Sequence, residues 1–153
     1  MNIETYWQQF LTTMNLPKET KYFEAFYFGS DQQSAEHLLQ LVLEGKKRAT
    51  SSAEEEYFLT NEPEPKVGDY SIVTDFSGNP KCIIQTTEVL KLKFNDMTYD
   101  ICRLEGEDLM LETWQEKHIE FFNTVGAIVG YQYHPDMMLV FEKFEMVSSE
   151  RYC

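Results

Sequence analysis

With 153 residues the chain has room for one compact domain, and 42% hydrophobic and 14% aromatic residues suffice for a sizeable core without disulfide or metal staples. Lys and Arg number 13 against 26 Asp and Glu, so the net charge of −13 repels phosphate and excludes a protein that coats nucleic acid through counterion release. No apolar run approaches the roughly 18–20 residues of a transmembrane helix, no basic n-region marks a signal peptide, and Cys82, Cys102 and Cys153 fit neither a disulfide framework nor a zinc site, so reduced thiols in a cytoplasmic protein are expected.

Ile3, Tyr6, Trp7, Phe10, Leu11 and Met14 share one helical face, with Asn2 placed to cap it and Pro17 beyond its end. Tyr22–Phe28 is aromatic and short, and reads as a strand that Gly29 and Ser30 break. Ser30 and Gln33 have capping-box spacing ahead of a helical stripe of Ala35, Leu38, Leu39 and Val42, which Gly45 stops. Ser51 with Glu54, or Ser52 with Glu55, repeats that spacing and predicts a short helix running toward Leu59. After a loop at 61–65, Tyr70–Thr74 reads as a strand and Lys81–Phe94 as one long strand or two with a bulge, with turn residues at 77–80 between them. A short helix is predicted over 98–104, and a longer one through Leu111, Trp114, His118, Phe121, Phe122 and Val125. Gly126 and Gly130 should loosen the chain before a final strand at Met138–Val147. Strands in the middle with helices around them predict an α+β fold or a small barrel with helical decorations, as a single domain over 1–153. Residues 1–20 form its helical extension and 22–147 its core.

Three places could carry chemistry. Lys46-Lys47-Arg48 with Thr50 lies between a helix stop and a predicted helix start, where free backbone N–H groups suit an anion or a developing oxyanion. Adjacent cations disfavour the charged form of a partly buried Lys47, which could then take a proton from a hydroxyl such as that of Thr50; the plain alternative is a solvated basic turn. Glu105-Gly106-Glu107-Asp108 reads as a tight acidic turn, where a carboxyl beside Leu104 and Leu109 could be raised in pKa and serve as a general acid. It offers no histidine at ligand spacing, so no metal site and no cofactor is expected. His118 sits on an apolar face with Trp114, Phe121 and Phe122, a setting in which a histidine is ordinarily a hydrogen-bonded core residue.

Taken in order, these pieces resemble the ASCH family, whose domain is related to the PUA RNA-binding fold. The likeness is carried by Phe28-Gly29, Leu41 through Thr50, Val67-Gly68-Asp69, Asp75 with Gly78, Thr86-Thr87-Glu88-Val89, Glu105-Gly106-Glu107, and Trp114 with His118, Phe121 and Phe122. It is similar to the longer bacterial subgroup of that family. The resemblance implies a PUA-like β-barrel with helices packed around it and a cleft at one end. A small relative removes the acetyl group from N4-acetylcytidine, its signature lysine accepting a proton, its threonine acting as nucleophile and a downstream glutamate as proton donor. Motif by motif, those roles fall on Lys47, Thr50 and Glu107, with Glu105 the rival for the glutamate. Ligand contacts are expected from Glu105, Arg48, Ser51 and Tyr57, and from Asp75, Trp114 and His118. Ser51-Ser52 stand where the pattern often has a basic residue after the threonine, which weakens any phosphate contact. The favoured expectation is a pocket for a modified nucleoside or related small amide, with hydrolysis as its chemistry. The alternative is a non-catalytic RNA-binding module, and a third is a scaffold that engages a basic partner through its acidic surface. No membrane partner is expected, and nothing in the sequence sets an oligomeric state.

Overall fold

The computed structural model describes residues 1–149. Helix α1 (Ile3–Thr13) starts where the Asn2 side chain accepts the Thr5 N–H at 2.8 Å. It buries Tyr6, Trp7, Phe10 and Leu11 against Ile72 and Ile83 of the sheet. Helix α2 (Gln32–Leu43) is capped one residue later than the sequence spacing suggests. Asp31 accepts from the Ser34 N–H at 2.8 Å, and the Ser34 hydroxyl accepts from the Asp31 N–H at 3.2 Å. A carboxylate at the positive end of the helix is the better cap, which is why Ser30 yields the position. Ala35 is buried, and Leu39 and Val42 pack with Phe28, Val73, Ile84 and Phe144.

The sheet runs β1 (Glu24–Phe26), β3 (Tyr70–Thr74), β4 (Pro80–Lys93), β5 (Met138–Ser149), β2 (Ala49–Ala53) in spatial order. The β1–β3 pair is parallel, and the β3–β4, β4–β5 and β5–β2 pairs are antiparallel. Breaks in the β4–β5 register at Ile83/Ile84 and Thr86/Glu88 bend the two long strands. The sheet curls into the five-stranded half-barrel of an α+β, PUA-like fold. The aromatic segment expected as a strand over 22–28 pairs only at 24–26, because its single partner β3 is five residues long and Phe28 turns away into the α2 core.

The run after Gly45 differs most from expectation. Ala49–Ala53 is the edge strand β2, and helix α3 (Glu54–Thr60) begins after it with no side-chain cap. The Ser51 and Ser52 hydroxyls are engaged elsewhere, with Glu105 and Tyr57, and so cannot cap a helix. The basic run therefore leads into a strand edge, not a helix N-terminus. Helix α4 (Tyr99–Cys102) passes into a 3-10 turn at Arg103–Glu105, and α5 (Leu111–Val129) covers the opposite face of the sheet from α2 with Trp114 and Phe122 in its core. Gly126 does not loosen the chain but lies buried in α5, where the returning backbone of Tyr131 packs on it and leaves no space for a Cβ. Cys82 and Cys102 are buried free thiols, both pushed up to about 12 chiefly by burial; Cys153 lies outside the described residues.

Candidate active site

Lys47, two residues before strand β2 begins at Ala49, turns inward, while Lys46 and Arg48 on either side stay exposed. Lys46 pairs with Glu44 at the surface, so the three cations do not converge and the like-charge argument for Lys47 fails. Buried to 2% exposure, the Lys47 ammonium faces carboxylates. Nζ lies 2.9 Å from Glu107 Oε2, 2.9 Å from the Ala49 carbonyl, 3.5 Å from the Glu105 carbonyl and 3.8 Å from Glu105 Oε1. The ring of Phe28 covers the cation from 5.2 Å.

The acidic turn supplies two carboxylates with different surroundings. Gly106 takes a left-handed φ of 77° and rests directly on the Lys46 carbonyl, which fixes the turn against the Lys47 backbone. Glu105 points into the core, where its Oε2 accepts from the Ser51 hydroxyl and the Trp114 indole, both at 2.8 Å, while Oε1 lies 3.3 Å from His118 Nε2. Burial pushes its carboxyl up, but the His118 hydrogen bond and charge, with Lys47 and Ser51, hold it below the usual range. This overturns the expected raised general acid at this position: the apolar neighbours are outweighed by polar partners, and Leu109 is 92% exposed. Glu107 keeps partial access to solvent and faces the cleft.

His118 stacks on Trp114 at 4.2 Å between ring centres, with Nδ1 2.8 Å from the Trp114 carbonyl. Both ring nitrogens therefore face acceptors, which fits the imidazolium. Burial opposes that charge, yet the hydrogen bond to Glu105 and its charge raise the His118 pKa above 6.5.

These groups open on a cleft of about 520 Å³ lined by Lys47, Thr50, Ser51, Ser52, Tyr57, Glu105, Glu107 and His118. Thr50 is half-buried on the edge strand, and among the described residues nothing hydrogen-bonds its hydroxyl. Of the remaining expected contacts, Trp114 lies behind the cleft, holding Glu105, and Arg48 is exposed outside it. Asp75 is not brought near: it closes the β3–β4 turn, accepting the Asn79 N–H at 2.9 Å.

Two carboxylates of the cleft were missed from the sequence. Glu142 on β5 stands directly across from Thr50 in register, its Oε2 accepting the Thr86 hydroxyl at 2.6 Å, and burial raises its pKa. Beside it Glu24 is exposed by its accessible surface, yet the protein crowded around its carboxyl and then Glu142, Glu62 and Glu56 push it up to about 7. The legible signal was a lone carboxylate inside an apolar or aromatic strand run, Val140-Phe141-Glu142 and Tyr22-Phe23-Glu24. Among the described residues no three His, Cys, Asp or Glu side chains stand together as metal ligands.

Residues 24–148 match the ASCH domain family. The chain belongs to the ASCH domain family. The crystal structure of protein EF3133 from Enterococcus faecalis V583 is 35% identical, with a TM-score of 0.90 over 97% of this chain and 89% of that one. The ASCH domain from Lactobacillus crispatus JV V101 is 33% identical, with a TM-score of 0.84 over 97% and 96% of the two chains. At 14% identity and a TM-score of 0.52, the hypothetical protein PH0355 shares the ASCH fold alone, over 83% of this chain and 100% of that one. No curated protein gives a significant match. Among the described residues of this ASCH chain, no helix is long and apolar enough to cross a membrane.

Proposed function

We propose that the cleft hydrolyses an amide on a nucleoside-like ligand of the N4-acetylcytidine kind. The observation that carries this reading is the 2.9 Å contact between the Lys47 ammonium and the Glu107 carboxylate in the cleft that Thr50 also lines. At that distance a proton can pass directly from lysine to glutamate. The passage leaves an amine able to take the Thr50 proton and a carboxylic acid able to protonate a departing amine. Thr50 would form an acyl ester as the C–N bond breaks, and water would hydrolyse the ester, giving carboxylic acid and amine in all. Glu107 rather than Glu105 suits the donor role, because Glu105 is fully enclosed by Ser51, Trp114 and His118.

Incubation with a panel of acylated nucleosides tests the reading. Wild-type protein should release the free amine, and Thr50→Ala and Glu107→Gln should each lose at least about a thousandfold in kcat. Lys47→Met should be equally inactive while keeping the side-chain volume that fills the site. Turnover in folded Thr50→Ala protein would sink the mechanism.

A further inference from the structure

Strand β2 ends the spatial order of the sheet, so among the described residues one of its edges has no partner strand. Which backbone groups lie on that edge follows from the ladder. The Phe144 N–H donates to the Arg48 carbonyl at 2.9 Å, and the register pairs Ala49 with Lys143, Thr50 with Glu142 and Ser51 with Phe141. In an antiparallel pair, residues that exchange hydrogen bonds alternate with residues that do not. The Phe144 bond brackets Ala49–Lys143 as a non-bonded pair, so Thr50 exchanges bonds with Glu142 and Ser51 again does not. The N–H and C=O of Ala49 and Ser51 therefore point away from β5. Ala49 bears this out independently, because its outward carbonyl is the one that accepts from Lys47 at 2.9 Å. At Ser51 the carbonyl and N–H thus lie on the outward edge of β2, in a residue that also lines the cleft, and among the described residues no acceptor takes that N–H.

We propose that the Ser51 N–H is the oxyanion donor of this cleft. It follows the Thr50 nucleophile by one residue, an order that other hydrolases use for the same purpose. It is fixed by the strand on a residue only 6% exposed at the cleft, and a donor shielded from water stabilises developing charge most. The inference rests on the hydrolase reading above. As Thr50 Oγ bonds to the acyl carbon, the carbonyl π electrons move to oxygen, and that oxygen accepts the Ser51 N–H. The electrons return when the C–N bond breaks, with the Thr50 proton on Lys47 and the Glu107 proton on the leaving nitrogen. The Ser51 hydroxyl has a different duty, holding Glu105 from the core side.

Replacing Ser51 by its α-hydroxy acid counterpart turns the Thr50–Ser51 amide into an ester and removes this one donor while keeping the side chain. Ser51→Pro removes the same donor by ordinary expression together with the hydroxyl on Glu105, a loss that Ser51→Ala reproduces alone, and proline is tolerated where a strand N–H faces outward from an edge. Both variants, shown folded by circular dichroism, should lose about 100- to 1,000-fold in kcat on N4-acetylcytidine with little change in KM. Ser51→Ala, which keeps the N–H, should lose less than either. A second measurement needs no variant. Methylboronic acid added to wild-type protein should form a tetrahedral adduct on Thr50 and move the Ser51 amide proton downfield in the NMR spectrum. A folded ester variant with wild-type kcat, or an adduct that leaves the Ser51 amide unmoved, overturns the oxyanion assignment while hydrolysis stands. Wild-type protein that turns over no acylated nucleoside overturns both.

Discussion

Glu105 is a carboxylate at 1% exposure whose two oxygens are shared among Ser51, Trp114, His118 and Lys47. Its charge is held by donors rather than water, so the arrangement is stable only while those donors are present. Removing one partner from such a set costs about 3–5 kcal/mol, because the other charge stays buried. His118→Gln should therefore destabilise the protein, and the loss should depend on pH. The raised His118 pKa contributes stability that is full below 6.5 and disappears as pH climbs through the folded value. The lowered Glu105 pKa contributes stability present above 4.5 and lost as pH falls through its folded value. The difference in unfolding free energy between wild type and His118→Gln should thus be greatest between pH 4.5 and 6.5 and shrink toward alkaline pH. Chemical denaturation across that range measures it, and a flat difference would remove the imidazolium. The sequence displayed Glu105, Glu107 and His118 but not their division of labour. One glutamate in the core and its neighbour but one in the cleft is decided by the left-handed Gly106 between them.

At the scale of elements, the site is a turn pressed against a strand edge. Gly106 leaves no space for a Cβ between itself and the Lys46 carbonyl, and the Arg48 N–H donates to the Leu104 carbonyl at 2.8 Å, so the acidic turn and the basic run are joined backbone to backbone. Gly106→Ala adds left-handed strain to a backbone collision and should cost at least about 2 kcal/mol, a fall of roughly 4–8 °C in melting temperature. It should also separate Lys47 from Glu107 and lower kcat. An alanine variant as stable and active as wild type would mean that this contact does not set the pair. The capping-box spacing at Ser51 and Ser52 pointed to a helix because local patterns cannot show that β5 waits to pair with these residues. The long strands, α1 and α5 were legible because their apolar periodicity runs long enough to decide between strand and helix.

For the whole molecule, the net charge of −13 and the lining of the cleft act in the same direction. Glu24, Glu56, Glu62, Glu105, Glu107, Glu120 and Glu142 contribute seven carboxylates there, against Lys47, Lys117 and the His118 imidazolium, and all three cations are already paired with carboxylates. Even a carboxyl pushed up to about 7, as at Glu24, is partly ionised at neutral pH. A phosphate brought into this space meets repulsion on the order of 1 kcal/mol from each nearby unpaired charge at an effective dielectric near 20. A nucleoside carries no such charge and senses only the hydrogen-bonding groups. The 5′-phosphate of an acylated nucleoside should accordingly be turned over with kcat/KM at least about tenfold below that of the free nucleoside. Added salt should narrow the gap by screening the repulsion. An RNA-binding module behaves in the opposite sense, losing affinity steeply as salt rises. Rates for the two substrates at low and high salt, together with RNA titrations at the same salts, separate the readings. A phosphorylated substrate preferred at low salt, or tight RNA binding that salt abolishes, would mean that the charged wall is not what a ligand meets first.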